Sequence, residues 1–241
     1  MRFRVKFNLQ NESIPKDKNR IILSFLKSAY SKYDIDYYKS LYEENQTKQK
    51  SFTFSTYMPQ AKFLRDEIII PSCSFDLEFS SYDNYDSLMF YNSIIGILNK
   101  SIDIKGNSIT AKNIINLKEK PIFDNYATFK TISPISIREH NGDNKKTWYH
   151  LLETEKGKEV FLHNIKIQAL EQFGDKAKYD LDDLKLSVIK SKEVRVKHYD
   201  IVIPANLAIL RIEAKQYLVD YFYKAGICSQ RSTGFGMLDL I

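Results

Sequence analysis

Residues 225–237 have the sequence AGICSQRSTGFGM and lie between an amphipathic helical pattern and a short apolar tail. Glycines allow a backbone to turn tightly and to approach a ligand closely, and successive backbone N–H groups can bind phosphate oxygens. Arg231 adds a planar cation that suits phosphate. The order of helix, loop and strand is the reverse of a P-loop, and no Gly-Lys-Ser/Thr follows, which argues against a nucleoside-triphosphate site.

A structural interpretation of the same segment is also open. Gly226 can end the preceding helix, after which the chain can turn into a terminal strand. That explanation covers Gly226 but neither the Gly-Phe-Gly at 234–236 nor the polar residues before it. The spacing alone therefore leaves phosphate binding and helix capping as alternatives.

The segment resembles the C-terminal glycine-rich signature of the CRISPR precursor-RNA-processing endoribonucleases, a family of the repeat-associated mysterious protein (RAMP) superfamily. It shares with them a helix that ends in Ala-Gly-Ile, a polar basic turn and then Ser-x-Gly-Phe-Gly-Met. Cys228 stands where the family usually has another glycine, and Gln230 stands where a lysine is common. The resemblance implies that RNA is bound by these residues of the loop: Gly226, Ser229, Gln230, Arg231, Ser232, Thr233, Gly234 and Gly236.

The hydrophobic pattern of the rest of the chain predicts the order β-α-β-β-α-β twice, which is the order of the ferredoxin-like unit. The elements predicted in the first half are a strand at 1–10, a helix at 21–29, strands at 52–55 and 67–80, a helix at 85–98 and a strand at 108–117. Those predicted in the second half are a strand at 128–139 that Ser133-Pro134 interrupts, a helix at 160–173, paired strands at 184–190 and 193–203, a helix before the glycine-rich loop and a strand at 235–241. The apolar segment at 207–212 alternates only weakly.

Three further segments resemble the same family and extend the resemblance over the chain. They are Phe-Thr-Phe-Ser at 52–55, Lys-Thr-Ile-Ser-Pro-Ile at 130–135 and the helix at 161–165. The resemblance implies an α+β protein of two tandem ferredoxin-like domains, residues 1–120 and 121–241, which meet near Pro121. It also implies that RNA binds along a basic surface and at the cleft between the domains.

Composition and charge narrow the class of protein. Lys and Arg outnumber Asp and Glu by 36 to 30, and the net charge of +6 fits a polyanionic partner without requiring one. Cys73 and Cys228 are too few for a disulfide framework or a zinc cluster. The sequence has no apolar run long enough to span a membrane and no signal-peptide pattern. We therefore expect a cytoplasmic protein with no membrane partner, no metal and no cofactor.

A strand pattern in the second half carries a row of basic side chains. Val194 and Val196 share one face, and Arg195 and Lys197 share the other. Such a row suits the phosphate backbone of RNA, so we predict RNA contacts from Arg195 and Lys197. A charged face turned to solvent is the alternative, and the pattern does not decide between them.

The reaction that the resemblance implies is metal-independent RNA cleavage. The ribose 2′-OH attacks the adjacent phosphate and leaves a 2′,3′-cyclic phosphate and a 5′-OH. Such a site must accept the 2′-OH proton, neutralise the crowded phosphorane and protonate the leaving oxygen. Many family members place a histidine shortly before the Phe-Thr-Phe/Tyr-Ser strand and a lysine just ahead of it. Lys50 matches the lysine, whereas the histidine is absent and Tyr42 is the residue at the closest position.

The predicted catalytic residues are Lys50, Tyr42, Tyr30 and Lys39. Lys50 would stabilise the pentacoordinate phosphate, and Tyr42 would orient an oxygen or donate to it. A tyrosine with an ordinary pKa of about 10 is a poor base at neutral pH. We therefore expect slow cleavage. We also expect a pH profile of the cleavage rate without the rising limb, centred near neutral pH, that a histidine base gives. The alternative role for the tyrosines is packing at the edge of the core. The alternative for Lys50 is that it is an ordinary solvent-exposed lysine at the edge of a strand.

The sequence thus predicts an endoribonuclease that binds CRISPR repeat RNA and cuts the precursor transcript into guide RNAs. The absent histidine leaves open a second hypothesis, a catalytically weak or inactive RNA-binding subunit with other CRISPR effector subunits as partners. A third is an unrelated two-domain module whose glycine-rich loop contacts protein. The expected oligomeric state is a monomer or a homodimer.

Overall fold

The computed structural model of the chain describes residues 1–45, 48–140 and 146–241. In the first half, alternating apolar residues form strands, and apolar residues three or four apart form helices. A single turn of π-helix, Ser40–Glu44, follows the second helix. The elements in chain order are β1 (Arg2–Leu9), β2 (Ser13–Pro15), α1 (Lys18–Tyr33), α2 (Ile35–Lys39), β3 (Phe52–Tyr57), β4 (Lys62–Phe63), β5 (Glu67–Ile69), β6 (Ser74–Ser81), α3 (Asn84–Gly96), β7 (Ser101–Ile104) and β8 (Asn107–Leu117).

Five strands of this half form an antiparallel sheet in the order β3-β6-β1-β8-β7. Apart from the short β7, this is the strand order of a ferredoxin-like unit, with β1 and β6 at the centre. The helices α1 and α3 pack together against the sheet, and Phe7 of β1 lies between Phe25 of α1 and Phe75 of β6. The remaining strands, β2, β5 and β4, form a separate small sheet.

The second half repeats this arrangement. Its elements are β9 (Tyr126–Thr131), β10 (Ile137–His140), β11 (Thr147–His150), α4 (Glu155–Phe173), β12 (Lys185–His198), β13 (Ile201–Glu213), α5 (Gln216–Ala225) and β14 (Leu238–Leu240). The main sheet has the order β12-β13-β9-β14 and is antiparallel, and its first and third core strands, β9 and β13, are again central. A two-stranded hairpin, β10-β11, stands apart from it.

The predicted pair of strands at 184–190 and 193–203 is wrong. β12 is one continuous strand that pairs with β13 along its whole length. The chain reverses at Tyr199 and Asp200, whose φ angles of 46° and 67° suit a two-residue hairpin turn. A register shift between Val188 and Lys190 interrupts the apolar alternation of β12. Because a bulge changes the face on which later side chains lie, the pattern resembled two short strands.

The predicted strand at 67–80 is also divided. It forms β5 and β6, which belong to different sheets, with Pro71 in the connection between them. Proline lacks the N–H that a continuous ladder requires, and this explains the interruption.

One main sheet is built from residues 2–117 and the other from residues 126–240. The division of the chain between residues 120 and 121 stays a prediction. Within the part of the chain that the structure describes, no helix is long and apolar enough to cross a membrane.

Candidate active site

The glycine-rich loop, defined here as residues 226–237, packs against the first half of the chain. The Thr53 hydroxyl of β3 donates to the carbonyl oxygen of Phe235 at 2.9 Å, and the Asn19 side-chain amide of α1 donates to the carbonyl oxygen of Thr233 at 2.9 Å. Within the loop, the Ile227 N–H donates to the Gly236 carbonyl oxygen at 2.9 Å. Side chains of the first half therefore hold the backbone of the loop in place.

The three glycines of the loop are required by close packing against protein. Their φ angles are 76° at Gly226, 90° at Gly234 and 68° at Gly236, in the region that favours glycine. A Cβ would lie 2.7 Å from the Thr53 side chain at Gly226, 2.6 Å from the Phe54 ring at Gly234 and 1.6 Å from the Ile227 carbonyl oxygen at Gly236. Their predicted RNA contacts stay a prediction, but their immediate neighbours are β3 and the loop itself.

The backbone conformation at Cys228 is one that glycine adopts easily, which fits the glycine that is usual at this position in the family. Its φ is 107°, a conformation that a residue with a side chain rarely adopts. The thiol is buried and lies 3.8 Å from the Ser136 hydroxyl. Burial raises the pKa of this thiol, so it stays protonated at neutral pH. The residue therefore acts as a small packed side chain in a strained backbone position.

Arg231 points inward and is only 3% exposed. Its Nε donates to the Lys50 carbonyl oxygen at 2.8 Å, and Nη1 donates to the Gln49 side chain. The other contacts are longer, from Nη1 to the Cys228 carbonyl oxygen and from Nη2 to the Tyr221 hydroxyl, both at 3.4 Å. The guanidinium thus joins the glycine-rich loop to the segment that carries Lys50.

The polar residues between the glycines form the accessible part of the loop. Ser229, Gln230, Ser232 and Thr233 are all half-exposed. The Ser229 hydroxyl and the Gln230 side-chain carbonyl have no hydrogen-bond partner among the described residues. Both oxygen atoms are buried, so the two side chains must turn outward before these groups can bond to a ligand.

A cavity of about 560 Å³ lies where the two halves meet, and we call it the interdomain cavity. It is bounded by the segment before β3, the start of α3, the helices α4 and α5 and the glycine-rich loop. Its polar lining residues are Ser40, Asn45, Lys48, Gln49, Lys50, Ser51, Asp83, Tyr85, Asp86, Gln168, Glu171, Gln172, Tyr221 and Arg231. Ser51 also joins the halves directly, since its hydroxyl lies 2.9 Å from the Gln172 side-chain oxygen.

Lys50 lies on the wall of this cavity and is half-buried. Its ammonium donates to the carbonyl oxygens of Asn45 at 3.3 Å and Lys48 at 3.2 Å. Burial lowers the pKa of Lys50, and the positive charges of Lys27 and Arg231 lower it further. A lysine with a lowered pKa gives up its proton more readily than an ordinary surface lysine does.

The structure places the other predicted catalytic residues differently. Tyr30 is fully buried, and its hydroxyl, like that of Tyr42, has no hydrogen-bond partner among the described residues. Burial raises the pKa of both tyrosines, which keeps them protonated at neutral pH. The Tyr42 ring carries the Lys27 ammonium 4.7 Å from its centre. Lys39 is exposed and does not line the interdomain cavity.

Asp86 is a cavity residue that the sequence analysis missed. It lies in the first turn of α3, and its carboxylate accepts a hydrogen bond from the Tyr37 hydroxyl at 2.8 Å. Burial raises the pKa of Asp86 to about 6, although the hydrogen bond from Tyr37 opposes this rise. An acidic residue in the first turn of a helix is ordinary, because it complements the helix dipole. Nothing in the local pattern therefore singles it out.

The C-terminal half decides the family. Residues 117–240 match the family model described as CRISPR associated protein Cas6, C-terminal. The chain belongs to the Cas6 family. This is a family of CRISPR-associated RNA-processing proteins, and the membership confirms the resemblance found in the sequence.

Solved structures resemble the chain over its whole length. A Cas6-related protein from Pyrococcus furiosus gives a TM-score of 0.84 at 23% sequence identity, over 100% of this chain and 98% of that chain. A RAMP protein that binds different RNA substrates gives a TM-score of 0.83 at 23% sequence identity, over 100% of this chain and 99% of that chain. A Cas6 product complex gives 0.70 at 14% identity, over 100% of both. At these identities the likeness shows the fold alone. No curated protein matches the chain.

The predicted fold class, α+β with two tandem ferredoxin-like domains, is confirmed. In this Cas6-family chain the first half contributes the segment before β3 and the start of α3 to the interdomain cavity. The second sheet's helices and the glycine-rich loop close the cavity from the other side. Two distant parts of the sequence, near residues 50 and 231, are therefore brought together by the tandem fold.

None of the four histidines of this Cas6-family chain lines the interdomain cavity. His198 is buried, with Nδ1 3.9 Å from the Asp17 carboxylate and its ring against Phe235. His150 contacts the Glu139 carboxylate at 2.6 Å. His140 and His163 line another cavity together with Ser229 and Gln49, and Gln49 also lines the interdomain cavity. Among the described residues, no group of three or more His, Cys, Asp or Glu is arranged to hold a metal ion.

Basic side chains line two further surfaces. Arg195 is exposed on β12, and Lys197 is half-exposed, with its ammonium 3.6 Å from the Asp66 carboxylate of the first half. A larger cleft of about 730 Å³ lies between the two main sheets, near the other end of β3. Its charged lining residues are Arg2, Arg4, Asp76, Glu78, Lys118, Lys120, Lys130 and Asp239. The basic residues there outnumber the acidic ones.

Proposed function

We propose that this Cas6-family chain binds CRISPR repeat RNA and cleaves the precursor transcript without a metal ion. The 2′-OH attacks the adjacent phosphate, and the products are a 2′,3′-cyclic phosphate and a 5′-OH. The observation that carries the proposal is the contact between Arg231 and the backbone of Lys50, which joins the glycine-rich loop to the lysine segment at one cavity. Family membership supports RNA processing as the activity.

Lys50 acts on the phosphate in this proposal. Its ammonium lies on the cavity wall, where it can approach the negative charge that develops on the phosphorane oxygens. The lowered pKa also makes Lys50 a better proton donor for the leaving 5′ oxygen. Both roles need the protonated form at the start of the reaction.

The remaining predicted residues have positioning roles. Tyr42 holds Lys27 over its ring, and the Lys27 charge acts on Lys50, so Tyr42 affects the site through its neighbours. Tyr30 packs against Tyr37 and supports the wall behind the cavity. Lys39, which is exposed beside this region, contributes positive charge to the approach of the RNA.

The RNA follows the accessible polar groups of the loop and the basic surfaces. Ser229, Gln230, Ser232 and Thr233 contact it at the loop, while Arg195 and Lys197 bind its backbone along β12. The glycines and Arg231 keep the loop in the shape that presents these groups. The cleft between the main sheets offers a further basic path for single-stranded RNA.

A second candidate function is an RNA-binding subunit of a CRISPR effector complex that cleaves weakly or not at all. The observation that favours it is the position of the histidines, none of which lines the interdomain cavity. In that case other effector subunits are its partners. Both functions place the protein in the cytoplasm with its RNA, as a monomer or a homodimer.

Incubation of the purified protein with end-labelled repeat RNA in a chelator separates the candidates. We expect a single cut and a fragment that ends in a cyclic phosphate. A mobility shift without cleavage would favour the binding subunit. The absence of both binding and cleavage would favour a module whose loop contacts protein.

A further inference from the structure

The interdomain cavity contains a carboxyl group that the function proposed above does not use. Asp86 lines this cavity together with Lys50 and Arg231. Its Oδ1 accepts the hydrogen bond from the Tyr37 hydroxyl. Among the described residues, its other oxygen, Oδ2, receives no hydrogen bond. One oxygen is therefore held in place while the other remains able to accept a proton.

Charged and titratable groups face Asp86 from each element around the cavity. These groups are Tyr37 of α2, Lys48 and Lys50 ahead of β3, Asp83 just before α3, Tyr85 of α3, Glu171 of α4, Tyr221 of α5 and Arg231 of the glycine-rich loop. Burial raises the pKa of Asp86, and the charge of Asp83 adds to the rise. The Tyr37 hydrogen bond and the Lys50 charge oppose it, and the resulting pKa is about 6.

Attack by a ribose 2′-OH needs a base that is ionised at neutral pH and still binds a proton well. An ordinary carboxylate meets only the first condition, because its pKa of about 4 is too low. Tyr30, Tyr42 and Tyr221 meet only the second, since burial raises the pKa of each and keeps it protonated. Asp86 meets both conditions and lies in the same cavity as the proposed proton donor, Lys50.

We propose that Asp86 is the general base of this chain and takes the place of the absent histidine. Asp86 accepts the 2′-OH proton as the 2′ oxygen forms its bond to phosphorus. The bond from phosphorus to the 5′ oxygen breaks, and that oxygen takes a proton from Lys50. This inference rests on the proposed cleavage function, and it replaces the expectation that cleavage shows no near-neutral rising limb.

The Asp86→Asn variant tests the role, because the amide oxygen can still accept the Tyr37 hydrogen bond but cannot take the proton. Measured at single turnover, we expect a rate at least about 100-fold lower with unchanged affinity for repeat RNA, a loss typical of a missing acid–base group. The wild-type rate should rise with pH through a midpoint near 6. The variant should lack this limb.

If Asp86 is the titrating group, substitution of two neighbouring residues should move the midpoint of the pH–rate profile in opposite directions. Tyr37→Phe removes a hydrogen bond that lowers the pKa of Asp86, so the limb should move to higher pH. Asp83→Asn removes a negative charge that raises it, so the limb should move to lower pH. Asparagine remains a good helix N-cap, which limits any effect of this change on α3.

The outcomes separate this inference from the function on which it rests. If the wild type cuts repeat RNA and Asp86→Asn cuts at the same rate with the same pH profile, Asp86 is not the base and the proposed function stands. A limb that moves in neither neighbour variant also overturns the inference. If the wild type cuts no repeat RNA, the proposed function itself fails.

Discussion

At the residue scale, the position of Lys50 is held by a hydrogen bond to its backbone rather than by its side chain. Its carbonyl oxygen accepts the buried Arg231 Nε at 2.8 Å, while its ammonium lies on the cavity wall. A buried guanidinium that loses its partners leaves unpaired polar groups behind, which is costly. The position of Lys50 is thus fixed by an interaction with the loop at the other end of the chain.

Replacement of Lys50 by alanine should slow single-turnover cleavage by about 100- to 1,000-fold, the range for the loss of one group that stabilises transition-state charge. Affinity for repeat RNA should change far less, because only the reacting phosphate gains charge during the reaction. Lys32→Ala removes an exposed lysine in the last turn of α1 and is the matched control. Equal losses of affinity in both variants, with no loss of rate, would assign Lys50 to binding alone.

The sequence identified some of these residues and missed others for physical reasons. Lys50 was found because it precedes the Phe-Thr-Phe-Ser strand, a local pattern. The burial of Arg231 depends on contacts across 181 positions, which no local pattern contains. Asp86 has the pattern of an ordinary helix start, and its raised pKa arises from the burial that the folded protein imposes.

At the element scale, the glycine-rich loop is a packed connection as well as a surface. Its glycines adopt positive φ angles against β3 and the loop itself, Arg231 is buried, and Ser232 and Thr233 are half-exposed. The sequence left helix capping and ligand binding as alternatives for this loop. Gly226 does end α5, and Gly234 and Gly236 allow the close contacts that bring the loop to the cavity.

Gly236→Ala should destabilise the protein by roughly 3 kcal/mol or more, since the new Cβ would lie 1.6 Å from the Ile227 carbonyl oxygen. Gly174→Ala is the matched control, because Gly174 has a similar φ of 63° and its new Cβ would meet no atom within 4 Å. The control should cost only about 1–3 kcal/mol, the strain of holding alanine at a φ of 63° and a ψ of −153°, a region that favours glycine. Urea unfolding measures both, and equal losses would show that the close contact is unimportant.

At the scale of the whole molecule, electrostatics should govern the association with RNA. The chain has a net charge of +6, and Arg195 and Lys197 lie on the same side of β12. The tandem fold was predictable because two runs of strands and helices share one order. The continuous β12-β13 hairpin was not, since the bulge after Val188 disrupted the alternation that the prediction used.

The affinity for repeat RNA should fall as salt rises, because each phosphate contact releases bound counterions. Replacing Arg195 and Lys197 together by alanine should reduce the slope of log K against log salt by about 1–2, one unit for each lost contact. Lys100 and Lys112, exposed lysines near α3 and β7, provide a control of equal charge. A slope that falls equally in the control would show that net charge matters rather than this strand.

We propose that the chain cuts RNA through the ribose 2′-OH at a site without a metal ion. The most direct measurement uses repeat RNA with a single 2′-deoxy substitution at the cleaved nucleotide, compared with unmodified RNA in a chelator. We expect equal binding of both RNAs, cleavage of the unmodified RNA alone, and a 2′,3′-cyclic phosphate on its product by mass spectrometry. Cleavage of the deoxy-substituted RNA at the same position would contradict this proposal.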